Sequence, residues 1–545
     1  MNSIEVLKKD SEYAKYRKKF SILRVLFSPM FFVVMFFILE IFILVSSVDY
    51  IKSPGFQVFI IVLNIVEVLY ILNSNKIKDS FKITCMIVCI LMPIFGVIIY
   101  FALQFTDLFT GHRSKLKDIV RNSRKHYDFS FSEDLNQKNL SRDESEILKL
   151  ANSNICHEYT FMNYFYNYAK VPAYNNASLY YFNNGKDAFE DIISKLKSAK
   201  KFIFIEIFIL ADGIIWQEIL KILKEKAKEG VEVKILVDGL NSILRFNNND
   251  CRYLKSFNID AKIFKPIFPL FTLTQNHRDH RKIFVIDNEI AYTGGINIAD
   301  EYANLYERFG YWKDACIRVE GKLVTSFTVM FLQLWSIFSH SKLVDFDKYL
   351  PENTKNVENA NNNAIYVPYS DYPNLPENIS LEIYSDMFNS ATKYMYIMTP
   401  YLVIDESVVE TIESAAKRGV DVKIIVPRIP DKKYVFYVNR SYYRSLVLAG
   451  AKIYEYVPGF IHSKVFLQDG IRAVVGTANL DYRSLYMHYE NGLYFYGDFR
   501  VLKDIKADFD KTLAESREMT INEIIKMPVI HRFFGAILKV FAPLM

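Results

Sequence analysis

Cysteine is scarce: the 545 residues include five, Cys85, Cys89, Cys156, Cys251 and Cys316. They form no ligand spacing, and two of them sit in an apolar run, so neither a disulfide framework nor a cysteine-ligated metal centre is implied. A strong excess of one charge is also missing. The formal net charge of +6 is modest for this length. Most of the surplus flanks apolar segments, which suits anionic lipid headgroups better than a nucleic-acid groove. No basic, aromatic-studded channel is apparent either. No single short apolar region with a small-residue cleavage site opens the chain, so a removable signal peptide is not expected.

Apolar residues are abundant, at 51% of the chain, with 15% aromatics. The excess is concentrated in three runs, Leu26 to Val48, Val58 to Leu72 and Ile83 to Leu103. The first and third are long enough to cross a bilayer; the second is marginal. Glu40, Asn64 and Glu67 interrupt them, and charge within a span must face other helices or snorkel. After a basic segment at 1–20, two or three membrane helices are therefore expected within 21–105, giving a multi-pass protein of the cell membrane. Lys8, Lys9, Lys15, Arg17, Lys18, Lys19 and Arg24 before the first run, and Arg113, Lys115, Lys117, Arg121, Arg124 and Lys125 after the third, both favour the cytoplasm. An even number of spans would satisfy both flanks.

A polar connector is expected at 106–154, followed by an internal repeat. AKKFIFIEIFIL (199–210) with EILKILKEKAKEGVEVKILVDG (218–239) is matched by ATKYMYIMTPYL (391–402) with ESVVETIESAAKRGVDVKIIVP (406–427). In each copy an apolar strand leads to an amphipathic helix that stops at a glycine, Gly230 or Gly419, suited to the left-handed position after a helix end. Ser407-x-x-Glu410 reads as a capping box for the second helix. Alternating strands and helices predict an α/β fold with two similar lobes, 155–352 and 371–515, joined by an Asn-rich linker at 353–370. The segment 516–545 reads either as an interfacial amphipathic helix or as a helix packed on the lobes.

The most telling pattern occurs twice. His280-Arg-Lys282-Ile-Phe-Val-Ile-Asp287 and His462-Ser-Lys464-Val-Phe-Leu-Gln-Asp469 are each followed at equal distance by Gly294/Asn297 and Gly476/Asn479. One His-x-Lys-x4-Asp match has a frequency of roughly one in ten thousand per position, so two with a shared downstream pattern predict one composite site. Both motifs read as strands, where residues two apart share a face, so His and Lys point together. An imidazole beside an ammonium suits attack on phosphorus: the ring supplies electrons and the cation stabilises charge on the non-bridging oxygens. Lysine between the ligand candidates fits zinc poorly.

These motifs resemble the phospholipase D superfamily, and within it the bacterial cardiolipin synthases. The resemblance extends through KITCMIVCILMPIFGVIIYFAL (82–103), NHRDHRKIFVIDNEIAYTGGINIADEY (276–302), RFGYWKDACIRVEG (308–321), TPYLVIDESV (399–408), YVPGFIHSKVFLQDG (456–470) and GTANLDYRSLYMHYENG (476–492). It departs at Ala478 and at Leu240-Asn241. It implies two phospholipase D-like lobes related by a pseudo-two-fold axis, no required metal or other cofactor, and conversion of two phosphatidylglycerol molecules into cardiolipin and glycerol. His280 would attack phosphorus to give a phosphatidyl-histidine, and His462 would serve as acid and then base; exchanging them leaves the reaction unchanged. Lys282, Lys464, Asn297 and Asn479 would hold phosphoryl oxygens, and Asp287 and Asp469 complete the catalytic motif by bracing the site rather than touching substrate. An imidazole nucleophile needs a carboxylate on its other nitrogen, for which Glu490 and Asp314 are the candidates. Two apolar approaches, Pro266 to Phe271 and Tyr456 to Phe460, read as acyl-chain entry loops or as core. Phosphatidylglycerol and cardiolipin are the expected partners, with no nucleic acid. A membrane phospholipase that hydrolyses lipid shares the same motifs, as does a nuclease.

Overall fold

A computed structural model describes residues 38–39, 41–42, 53–74, 79–91, 112–140, 154–242, 245–264, 277–338, 344–350, 360, 364–373 and 375–540. The approach at 266–271, nearly all of the first apolar run and most of the Asn-rich linker lie outside these residues.

The first lobe contributes strands β1 (Ala177–Phe182), β2 (Phe202–Ile207), β3 (Glu232–Asp238), β4 (Ile259–Phe264), β5 (Ile283–Ile286), β6 (Ile290–Gly294), β7 (Tyr311–Lys313) and β8 (Cys316–Gly321). The second contributes β9 (Ile365–Asp371), β10 (Tyr394–Met398), β11 (Leu402–Val403), β12 (Asp421–Pro427), β13 (Lys452–Tyr456), β14 (Gly459–Ile461), β15 (Val465–Gln468), β16 (Arg472–Gly476), β17 (Leu480–Asp481), β18 (Glu490–Tyr496) and β19 (Ser516–Glu518). The first sheet runs β1-β8-β6-β5-β2-β3-β4, and the second, read from its β9 edge, runs β9-β18-β16-β15-β10-β12-β13-β19. The two orders are the same topology with β19 added, so the expected α/β fold of two similar lobes is the observed one. The expected linker ends sooner than its boundary, because residues 365–370 form most of edge strand β9.

Alternation along the motif strands builds the layers. Ile283 and Val285 of β5, like Val465 and Leu467 of β15, face a core shared by both lobes, while Phe284 and Ile286 face the first lobe's own helices and Phe466 the second's. A residue pointing to the wrong face would lose about 1.5–3 kcal/mol of apolar burial, which fixes the register. The apolar helix Val324–Ile337 is buried in the shared core. The expected polar connector is not a free tether: its helix His112–Ser123 sends Leu116, Ile119 and Val120 into the same core.

The repeated amphipathic helices end as predicted, with Gly230 and Gly419 both at φ +91°. The capping box at Ser407 is corrected. Helix Glu406–Lys417 is capped by Asp405, whose carboxylate accepts from Val408 N, and Ser407 lies inside the first turn.

Among the described residues one helix is long and apolar enough to cross a membrane, Pro54–Leu72. It is the run judged marginal from sequence. The third run is described only as far as Leu91, in the 13-residue helix Asp79–Leu91. Glu67, the residue that weakened the case, is buried beside Cys89 of that second helix rather than on the outer face. Ile71, Phe81, Cys85 and Cys89 pack with Met487 of the second lobe. At the far end, helix Val529–Val540 follows the second of the two expected readings and packs on the second lobe. Gly535 lies against the backbone of Tyr437, while Val529, Ile530, Phe533 and Phe534 remain exposed.

Candidate active site

Each motif histidine stands just before its strand, β5 or β15, and is tied by backbone to the opposite lobe. His280 N–H donates to Tyr489 O at 2.9 Å, and His462 N–H to Lys313 O at 2.7 Å. The second contact extends the parallel pair β7–β14, which itself joins the lobes.

The side chains cross in the same way. His280 Nδ1 lies 2.9 Å from both carboxylate oxygens of Glu490, and His462 Nδ1 lies 2.7 Å from Asp314 Oδ2. Each lobe's imidazole is therefore held by the other lobe's carboxylate. Since the carboxylates accept, each ring carries its proton on Nδ1 and has a free lone pair on Nε2. Thr477 Oγ1 donates to Glu490 Oε2 at 2.5 Å. In the first lobe the equivalent position is Gly295, where an added Cβ would meet Asp314 Oδ1 at 2.0 Å and His462 O at 2.9 Å.

The two lysines are buried beside their histidines. Lys282 Nζ donates to His280 O, and Lys464 Nζ bonds His462 O and lies 2.9 Å from His462 Nδ1. Electrostatics follow from this crowding. Burial pushes His280 well down, against the pull of Glu490. Burial and then the Lys464 ammonium push His462 down to about 4. Burial also lowers Lys282 to about 8 and Lys464 to about 7. For the acids burial acts upward, but the paired imidazoles hold Glu490 well below and Asp314 below their ordinary range. Lys282 repels the charged forms of both His462 and Lys464, so the two half-sites share one field. Perturbed groups clustered this way mark a reactive site.

The other expected residues divide. Asn297 is buried, its Oδ1 accepting from Ile209 N at 2.9 Å and its Nδ2 donating to Tyr302 OH at 2.8 Å, so much of its amide already braces the protein. Asn479 is buried, with no hydrogen-bond partner for Oδ1 among the described residues. Asp287 and Asp469 brace the fold, as expected of them, and stand apart from the reacting atoms. They stand at the opposite ends of β5 and β15 from the histidines, both with left-handed backbone, φ 56° and 52°. Asp287 accepts from the N–H groups of Lys200, Lys201 and Phe202 at 2.7–2.8 Å. Asp469 accepts from those of Thr392, Lys393 and Tyr394 at 2.7–2.8 Å. These aspartates clamp the starts of β2 and β10.

Several contributors carry no motif signal. Arg281, between His280 and Lys282, points away from the site and pins the lobes, with Nε 2.6 Å from Glu206 and Nη1 3.0 Å from Ser370 of the second lobe. Asn491 Nδ2 donates across the junction to Thr293 at 2.8 Å. Phe460 is buried against Trp312, ring centroids 4.9 Å apart, so this part of the second apolar approach is core rather than an acyl-chain route. Among the described residues, His280, His488 and Glu490 place metal-capable atoms within 4.8 Å of one another, but Lys282 adds a repelling charge there.

A family model described as cardiolipin synthase, PLD-like domain, matches residues 192–335 and 384–513, one segment in each lobe. A Clostridium perfringens cardiolipin synthase is 34% identical over 460 residues, covering 83% of this chain and 92% of that protein. An uncharacterized Streptococcus mutans protein is 43% identical over 479 residues, or 88% and 99% of the two chains. The crystal structure of Haemophilus influenzae phosphatidylserine synthase aligns with TM-score 0.53 and 16% identity over 70% of this chain and 96% of its own, a likeness of fold.

Proposed function

Because the chain belongs to the cardiolipin synthase family of PLD-like enzymes, we propose that it passes a phosphatidyl group from one phosphatidylglycerol to another. Cardiolipin and glycerol are the products. The observation that carries this reading is the crossed pairing of His280 with Glu490 and His462 with Asp314, which leaves Nε2 of each buried imidazole free to react beside a buried lysine.

In the first displacement His280 Nε2 bonds to phosphorus, the bond from phosphorus to the glycerol oxygen breaks, and protonated His462 gives its proton to that oxygen. Empty, the site disfavours a proton on His462; the anionic phosphodiester offsets the repulsion from Lys464 and Lys282 and lets the ring charge. In the second displacement His462 takes the proton of a terminal glycerol hydroxyl on another phosphatidylglycerol. That oxygen bonds to phosphorus as the phosphorus–nitrogen bond breaks. Lys282 and Lys464, with the remaining N–H capacity of Asn297 and Asn479, hold the non-bridging oxygens as charge shifts. Glu490 and Asp314 keep each Nδ1–H in place.

Membrane residence belongs to the same reading. Helix Pro54–Leu72 spans about 28 Å at about 1.5 Å per residue, enough for the hydrocarbon core. The exposed face of Val529–Val540 adds an interfacial contact. The test is the full-length protein in detergent with phosphatidylglycerol alone, scored for cardiolipin and free glycerol. Cardiolipin lost in both His280→Ala and His462→Ala supports the reading. Phosphatidic acid as the sole product replaces it with lipid hydrolysis.

A further inference from the structure

The two half-sites follow one plan down to the rings that flank the histidines. Two residues before Asp314 stands Trp312, whose ring lies 5.5 Å from that of His462. Two residues before Glu490 stands His488, whose ring lies 5.3 Å from that of His280. The intervening residues, Lys313 and Tyr489, supply the equivalent backbone acceptors for His462 and His280. Against this symmetry the flanking ring is an indole in one half and an imidazole in the other.

The difference has chemical content. Trp312 offers His462 an aromatic wall. His488 has Nδ1 3.4 Å from Glu490 Oε1, is 8% exposed, and has no hydrogen-bond partner for Nδ1 among the described residues. A buried imidazole with one unspent nitrogen directed at a carboxylate is drawn to it, because leaving the donor unpaired is costly. Glu490 is thereby approached by three groups: His280 Nδ1, the Thr477 hydroxyl and His488 Nδ1. Asp314 lacks two of these equivalents, since Gly295 replaces Thr477 and Trp312 replaces His488. Glutamate also has one more rotatable bond than aspartate, so it needs more holding to keep a fixed geometry.

We infer that His488 is a positioning residue, whose Nδ1–H directs Glu490 so that His280 keeps its Nδ1–H bond and turns Nε2 toward phosphorus, which makes the His280 half-site the one equipped for nucleophilic attack. The inference rests on the phosphatidyl-transfer reading above. No proton moves to or from His488; it acts through Glu490.

The experiment uses full-length protein in phosphatidylglycerol proteoliposomes, comparing His488→Leu, His488→Asn and His488→Gln with His280→Ala. Loss of a hydrogen bond to a charged group predicts a kcat for His488→Leu lower by about tenfold or more. KM should stay within about twofold, because a ring that acts through Glu490 changes the attack and not the binding of lipid. Asn can place an amide N–H near the Nδ1 position and should restore most of kcat. Gln, whose amide sits near the Nε2 position, should not. His488→Leu with wild-type kcat overturns the inference. So does an Asn variant no better than Leu, or a loss that tracks only a lowered thermal midpoint. If His280→Ala is inactive in either case, the failure belongs to His488 alone; if His280→Ala retains cardiolipin synthesis, the underlying reading falls.

Discussion

Replacing Glu490 by Gln keeps the shape of the side chain and removes its charge, which isolates the role of the crossed carboxylate. At present both carboxylate oxygens lie 2.9 Å from His280 Nδ1, so that nitrogen must be the donor and Nε2 the free electron pair. An amide breaks this arrangement. Thr477 Oγ1, now a donor at 2.5 Å to Oε2, favours the amide oxygen at that position and leaves the amide NH2 at the Oε1 position, 2.9 Å from His280 Nδ1. The ring then accepts on Nδ1 and carries its proton on Nε2, the atom that should attack. Carboxylate-to-amide changes that preserve geometry while reversing a histidine tautomer cost about ten-thousand-fold in kcat. At about 1.36 kcal/mol per tenfold, that corresponds to roughly 5.4 kcal/mol of barrier. Cardiolipin formed per minute by purified Glu490→Gln should fall by about three to four orders of magnitude with thermal midpoint little changed. A variant within threefold of wild type would refute the claim that Glu490 fixes the tautomer, whatever its effect on stability.

Three further outcomes are expected. Gly295→Ala should lose nearly all cardiolipin synthesis, because the new methyl would occupy the position of Asp314 Oδ1 at 2.0 Å; a fully active variant would mean that Asp314 is free to move. Asp287→Ala and Asp469→Ala should each lower the thermal midpoint while sparing KM, since each frees three backbone N–H groups remote from the histidines at a cost of about 1–2 kcal/mol. His462, held down to about 4 by burial and then by Lys464, takes up a proton in the unfolded chain before the folded one does. Stability from this group is therefore complete above pH 6.5 and declines as pH falls toward 4. Scanning calorimetry in detergent should show a shallower acid decline in His462→Gln, and an unaltered decline would remove His462 as its source.

The lobes and the histidines and lysines are legible in the sequence because a duplicated motif repeats its chemistry at fixed spacing, whereas Asp314 and Glu490 follow their motifs at unequal distances and enter as the carboxylates an imidazole nucleophile needs. What spacing cannot show is which carboxylate serves which ring, since Asp314 and Glu490 each follow their own motif yet reach the other's histidine. His488 is hidden for a related reason: its counterpart is Trp312, so comparing the two copies finds no shared residue to flag. Asp287 and Asp469 recur in the motif for a structural reason, because each clamps the start of a neighbouring strand. The apolar run at 58–72 looks short because it is counted from Val58, whereas the helix starts at Pro54 behind its Ser53 cap, and Glu67 is buried against a neighbouring helix.

The exchange of carboxylates has a consequence for how such a molecule is put together. Either lobe alone would own an imidazole without its counter-charge and a counter-charge without its imidazole. Only a pair can be complete, and two copies of one such lobe, arranged head to head, would complete each other. Once both are joined in a single polypeptide the copies are free to diverge, as the exchange of indole for imidazole at 312 and 488 shows, so long as neither abandons what it lends the other.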